Sequence, residues 1–226
     1  MSERPAIIAA LPREVGALVK GWEKRQLPGK IVVYTRADAV VVCAGMGAGR
    51  ATLAVQAAMA TGPVKALISA GLAGACDPAL RVGDVVRAGV VIDSRTGESF
   101  ADSEFKQVLV TSDAIVNVRE KVRLRASYRA DAVDMEAATV ARLAQAHGLA
   151  FRAVKAISDE SEFELNGLER FATADGQFRE AAFAMHTAIR PAMWGKVIAL
   201  ARNGGKAIAA LTEALHVELD WYRKRA

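Results

Sequence analysis

Eight short strand-like runs, mostly apolar and rich in Val, Ile and Ala, punctuate this chain. They fall at Ala6–Ala10, Ile31–Thr35, Val40–Ala44, Ala66–Ala70, Val85–Ile92, Val108–Thr111, Ala132–Asp134 and Phe151–Ile157. Continuous apolarity, rather than strict alternation, suits a strand whose sheet is covered on both faces. Between several of these runs the apolar spacing changes to three or four. Val15, Leu18 and Trp22 predict a helix over Glu14–Lys24, and Leu53, Val55 and Met59 predict one over Ala51–Ala60. Val140, Leu143 and Ala144 predict a third over Glu136–His147, which Gly148 would end. Strands that alternate with helices imply an α/β layer architecture with a largely parallel sheet.

The pattern changes after Gly176. No strand signal follows, and Pro191 and Asn203-Gly204-Gly205 are expected to divide the tail into helical pieces. Trp194, Val197, Ile198 and Leu200, then Ile208, Leu211, Leu215 and Leu219, form stripes that read as packing faces, with membrane-surface contact as the alternative. The length of 226 residues fits one domain over 1–226, with 176–226 as its helical C-terminal part. Hydrophobic residues at 52% and charged residues at 24% exclude a disordered chain.

A net charge of +5 with no long Lys/Arg run gives no nucleic-acid footprint. The densest basic stretch, Arg119, Lys121, Arg123, Arg125 and Arg129, reads as a solvated helix face or as a feature that attracts phosphate or an anionic membrane. Cys43 and Cys76 sit in apolar surroundings and make no disulfide framework. No leader pattern opens the sequence and no run of eighteen apolar residues occurs, so a cytoplasmic protein is expected. His147, His186 and His216 lack ligand spacing, and no metal is expected.

Several strand ends carry chemistry. Gly45-Met46-Gly47-Ala48-Gly49-Arg50 joins a strand to a helix, where glycines permit close backbone approach and the helix start favours an anion. It is not a dinucleotide fingerprint. The glycine spacing is wrong, and Gly62, Pro63 and Lys65 stand where an acidic ribose ligand belongs. Ser69-Ala70-Gly71-Leu72-Ala73-Gly74 is a second glycine-bearing strand end. Asp134-Met135-Glu136 puts two carboxylates at a strand-to-helix junction, where either could simply cap the helix. Ser158-Asp159 closes the most apolar late strand, and Glu14 follows the first. Ser158-Asp159 alone could be a helix cap or turn, but in an open α/β sheet several such strand ends can converge on one crevice.

Taken in order, these segments resemble the nucleoside phosphorylase superfamily, especially its methylthioadenosine/S-adenosylhomocysteine nucleosidase branch. The resemblance is carried by Ile7 to Leu11 with Glu14, by Ala44 to Gly47, and by Gly71 to Gly74 leading into Leu80 to Val86. Val110 to Ile115, Val133 to Ala138 and Ala156 to Asp159 complete it. It implies a three-layer αβα sandwich with a mixed, largely parallel central sheet and a helical C-terminal tail. It also implies cleavage of a purine N-glycosidic bond. Asp159 would protonate N7 of the leaving base, supported by Ser158, and Glu14 would act as general base on water. Glu136 would bind the ribose hydroxyls while Met135 packs on the sugar. Ile115 and Val116 would line the base pocket, and Gly71, Leu72 and Gly45 would sit against the substrate.

Leu72 stands where this branch usually has serine, Asp134 replaces a more usual glutamate, and Val91 to Gln107 is short. The stretch Gly71 to Leu80, Arg190-Pro191 and Val197 to Arg202 are similar to the hopanoid-associated phosphorylases, thought to act on adenosylhopane. That similarity implies a lipid-like 5′ substituent. Glu14 favours hydrolysis, whereas phosphorolysis would use phosphate as co-substrate and cations such as Arg13, Arg50 and Arg81. No other cofactor is implied, and the family resemblance suggests a homodimer or larger assembly. A nucleoside sensor without turnover is the non-enzymatic alternative.

Overall fold

The computed structural model describes residues 3–101, 104–163 and 194–225. Each predicted apolar run becomes a strand of one sheet, ten strands among the described residues. In chain order they are β1 (Arg4–Ala9), β2 (Glu23–Leu27), β3 (Ile31–Arg36), β4 (Ala39–Cys43), β5 (Val64–Ala75), β6 (Val85–Asp93), β7 (Ser99–Ala101), β8 (Gln107–Thr111), β9 (Ala132–Asp134) and β10 (Ala150–Asp159). The helices are α1 (Pro12–Val15), α2 (Ala48–Met59), α3 (Val118–Tyr128), α4 (Ala137–Ala146) and α5 (Trp194–Lys224).

The centre of the sheet is parallel, β4-β1-β5-β10, and antiparallel pairing appears where β3 joins β4 and where β6 joins β10. β5 explains how the sheet closes. Its first part, Val64–Ser69, pairs with β1, and its last two residues, Gly74 and Ala75, pair with β9 instead. Between them Gly71 takes φ +148, a backbone angle that side-chain-bearing residues rarely adopt. Since β9 pairs β8, β8 pairs β6 and β6 pairs β10, which returns to β5, five strands form a closed ring. β1, β4, β3 and β2 extend from it as a wing.

Alternate side chains of the parallel strands go to opposite layers. Ile7, Val41, Ile68 and Val154 pack against Val15, Leu211, Leu215 and Leu219, so α1 and α5 cover one face. Ile8, Val42 and Leu67 pack against Ala54, Val55, Ala58 and Val140, so α2 and α4 cover the other. Leu109, Ala132, Ala153 and Ile157 fill the ring, with Ala137 and Ala138 of α4 beside them. This is the expected sandwich.

Four local expectations change. The helix predicted over Glu14–Lys24 is only α1, because Gly16 ends it, Gly21 turns the chain at φ +81, and Glu23 and Lys24 open β2. β2 is an exposed edge strand of Glu-Lys-Arg-Gln-Leu, so it shows no apolar run. The tail is not divided at Asn203-Gly204-Gly205: α5 runs through. Two helical glycines cost about 1 kcal/mol each, less than burial of Ala207, Leu211, Leu215 and Leu219 contributes. Pro191 and all of 176–193 lie outside the described residues, as do the side chains of the predicted stripe Trp194, Val197, Ile198 and Leu200. Finally, the basic stretch forms α3 and its C-cap Arg129, with Arg119, Arg123 and Arg129 exposed, but Lys121 is buried. Among the described residues no helix is long and apolar enough to cross a membrane.

Candidate active site

The carboxyl ends of β1, β5, β9 and β10 meet around one cavity. At the end of β1 the chain turns into α1, and Glu14 folds back to accept hydrogen bonds from the N–H groups of Ala10 (3.2 Å) and Leu11 (3.0 Å). A Cβ on Gly71 would stand 3.4 Å from Glu14 Oε2, so glycine leaves this carboxylate its place. Burial raises the Glu14 pKa, although the Leu11 N–H and the charge of Lys155 oppose it.

Asp134 ends β9. Its Oδ1 accepts from Thr111 Oγ1 at 2.7 Å and its Oδ2 from the Ala137 N–H at 2.9 Å, so this carboxylate does cap α4. Glu136 does not cap. It crosses to the start of α2 and accepts from the Gly47 N–H at 2.8 Å. Lost solvation pushes the Glu136 pKa up to about 7; Lys155 pulls it down, and Asp134 and Glu14 add to the rise.

Lys155 holds this acidic group together. It lies at the middle of β10, 1% exposed, with its ammonium 2.8 Å from Asp134 Oδ2 but not aligned as a hydrogen bond. Burial works against its charge, yet Asp134, Glu136 and Glu14 outweigh that and raise its pKa. Removing one member of such a pair leaves buried, uncompensated charge. Lys155→Ala is therefore expected to lower unfolding stability by roughly 3–5 kcal/mol at neutral pH, measured by urea titration. A loss below about 1 kcal/mol would refute the role given to this ion pair.

At the end of β10, Ser158 Oγ donates to Asp159 Oδ1 at 2.7 Å and also lies 3.3 Å from the Ala73 carbonyl. Lys121 Nζ reaches from α3 to Asp159 Oδ2 at 2.5 Å and to the Glu160 carbonyl at 2.8 Å. Both partners are buried. Asp159 thus sits against a cation, and the apolar surround expected from Ala153-Val154-Lys155-Ala156-Ile157 is only part of its environment.

Asp159, Ser158, Glu14, Glu136, Met135, Ile115, Val116 and Leu72 all line this cavity, together with Met46, Arg13, Asp134 and Lys121. Gly45 and Gly71, also expected at the substrate, are not among the residues that line it. The Gly45 N–H donates to the Ala10 carbonyl at 2.9 Å, tying the ends of β4 and β1. Arg50 and Arg81 are outside the lining, bonded to the carbonyls of Gly29 and Pro78. Among the described residues no group of three or more His, Cys, Asp or Glu is arranged to hold a metal ion.

Sequence reasoning missed the two buried lysines. Lys155 had a signal, since a lysine in the interior of a strand buried on both faces must find an anion. Lys121 had almost none beyond its three-residue spacing from Leu124, which is buried on the same helix.

The family model described as the phosphorylase superfamily matches residues 4–117 and 105–190. A comparison with curated proteins gave no match. Among solved structures, a mutant of Helicobacter pylori MTAN with 5′-methylthioadenosine in its active site superimposes with a TM-score of 0.73 at 16% identity, covering 97% of this chain and 99% of that one. Native futalosine hydrolase of Helicobacter pylori gives a TM-score of 0.71 at 17% identity, covering 96% and 97%. A 5′-methylthioadenosine/S-adenosylhomocysteine nucleosidase from Colwellia psychrerythraea in complex with adenine gives 0.66 at 19%, covering 94% and 96%. At these identities the likeness is one of fold.

Proposed function

Because the chain belongs to the phosphorylase superfamily, we propose that it cleaves the N-glycosidic bond of a purine nucleoside, a 5′-modified adenosine, with water as nucleophile. The observation that carries this reading is the convergence of Glu14, Glu136 and Asp159, from three separate chain segments, on one cavity. Cleavage of this bond develops positive charge on the sugar and negative charge on the base. It needs a proton donor at the base and carboxylates near the sugar. Asp159, its Oδ1 oriented by Ser158, delivers the proton to N7. Glu136 accepts hydrogen bonds from the ribose hydroxyls, and Met135 packs on the sugar. Glu14, pinned by two backbone N–H groups, takes the proton from the attacking water. Ile115 and Val116 border the base, and Leu72 gives the 5′ side an apolar wall.

Glu136 makes this reading pH-dependent. Burial pushes its pKa up to about 7, and ionisation frees both oxygens to accept from the two ribose hydroxyls with charge assistance. Deprotonation through that value strengthens sugar binding, so kcat/KM should rise about tenfold between pH 6 and pH 8. Glu136→Gln should flatten that rise, and an unchanged profile in the variant would remove the assignment.

Phosphorolysis is the second reading, favoured by the presence of Arg13 and Lys121 in the lining. Assays of adenine release with and without phosphate separate the two: hydrolysis proceeds without it, and strict phosphate dependence overturns the choice of water. The 5′ group is tested by competition. Faster adenine release from adenosylhopane than from methylthioadenosine would assign the Leu72 wall to a lipid-like substituent, and the reverse order would exclude it.

A further inference from the structure

Both oxygens of Asp159 already accept one hydrogen bond each. Oδ1 accepts from Ser158, and Oδ2 accepts from Lys121 at 2.5 Å. Lys121 is 1% exposed, although it lies in a helix whose other basic residues face outward or make half-exposed pairs. The lysine is held in place at both ends. Its ammonium also donates to the Glu160 carbonyl at 2.8 Å, and its stem lies over Gly74. A Cβ on Gly74 would be 2.9 Å from Asp159 Oδ2 and 3.1 Å from Lys121 Cε, so the strand is bare where the pair sits. Cys76, within electrostatic reach of both, is pushed up to about 12 by burial and remains a neutral thiol, so it offers Lys121 no second anion. Among the described residues the ammonium therefore has one anionic partner, and that partner is the proposed proton donor. Both line the cavity.

We propose that Lys121 is the positioning residue and proton source of the leaving-base side of the site. The inference rests on the reading of Asp159 as the group that meets N7. As the C1′–N9 bond breaks, its electron pair moves to the base. Lys121 Nζ passes a proton to Asp159 Oδ2, and Asp159 passes that proton on to N7. Asp159 ends as it began, an anion. Lys121 is left as a neutral amine and recovers its proton from water once the base has gone. An amine can make this cycle. A guanidinium cannot, because it does not give up its proton in proteins.

The test compares two substrates in full-length Lys121→Met and Lys121→Arg. 5′-Methylthioadenosine needs its base protonated, whereas 4-nitrophenyl β-D-ribofuranoside releases a stable phenolate without help. Loss of the proton source should lower kcat for adenine release roughly 100-fold or more in both variants. Nitrophenolate release should stay within about threefold of the parent, which also reports that the variants are folded. Lys121→Arg keeps the charge beside Asp159, so full recovery of adenine release in that variant would reduce Lys121 to a positioning charge and overturn its role as proton source. Equal losses on both substrates, or no loss on either, would overturn the proposal entirely. Failure of the functional reading shows separately: the parent protein would then release base from no purine nucleoside, and the inference would fall with it.

Discussion

Asp159→Asn should lower purine release by roughly 10²–10⁴-fold, the range that one general acid supplies. Asparagine preserves the shape and can still accept from Ser158, but it carries no transferable proton for N7. It also leaves the Lys121 ammonium, 1% exposed, beside a neutral amide. Loss of one partner of a buried pair is costly, so the variant should melt at a lower temperature as well. The two effects separate on a substrate with an activated leaving group. Nitrophenyl riboside cleavage, measured below the variant's melting range, should survive while purine release does not. Comparable loss on both would mean that Asp159 holds the site together and does not donate the proton.

Glu14→Ala should abolish water-dependent turnover, again by about 10²–10⁴-fold, while leaving any phosphate-dependent turnover in place. Water is a poor nucleophile until a base takes its proton, whereas phosphate arrives as an anion. The carboxylate is fixed by the N–H groups of Ala10 and Leu11, and Gly71 leaves room for it. Its raised pKa makes it a stronger base while ionised. Activity that depends on it is present above that pKa and is lost as the pH falls through it. Retained hydrolysis in Glu14→Ala, in a protein that still binds adenine, would remove the general-base role.

Why these residues were legible, and Lys121 was not, follows from how each signal is written. Asp134, Glu136, Ser158 and Asp159 stand at abrupt ends of apolar runs, and polarity at a strand end is visible in one dimension. The same contrast located most strands. β2 escaped because an exposed edge strand needs no apolar residues, and β7 because three residues carry too little pattern. α5 passed through Gly204 and Gly205 because tertiary burial of Leu211, Leu215 and Leu219 outweighs a local propensity. The closure of β5 onto both β1 and β9 depends on a backbone angle at Gly71, which sequence shows only as one more glycine. Lys121 lies 38 residues from Asp159 in the chain, on a different element, and nothing local distinguishes it from the arginines around it. Pairings of that kind are made by the fold.

By the proposed function, Glu14, Glu136 and Asp159 together break a bond between a purine and its sugar. The most direct test is release of free base from adenosine, inosine, methylthioadenosine, S-adenosylhomocysteine and adenosylhopane, each with and without phosphate. Adenine release without phosphate from at least one 5′-modified adenosine is the expected result. No base from any of them, in a protein that still binds adenine, would contradict the claim and leave a nucleoside sensor in its place.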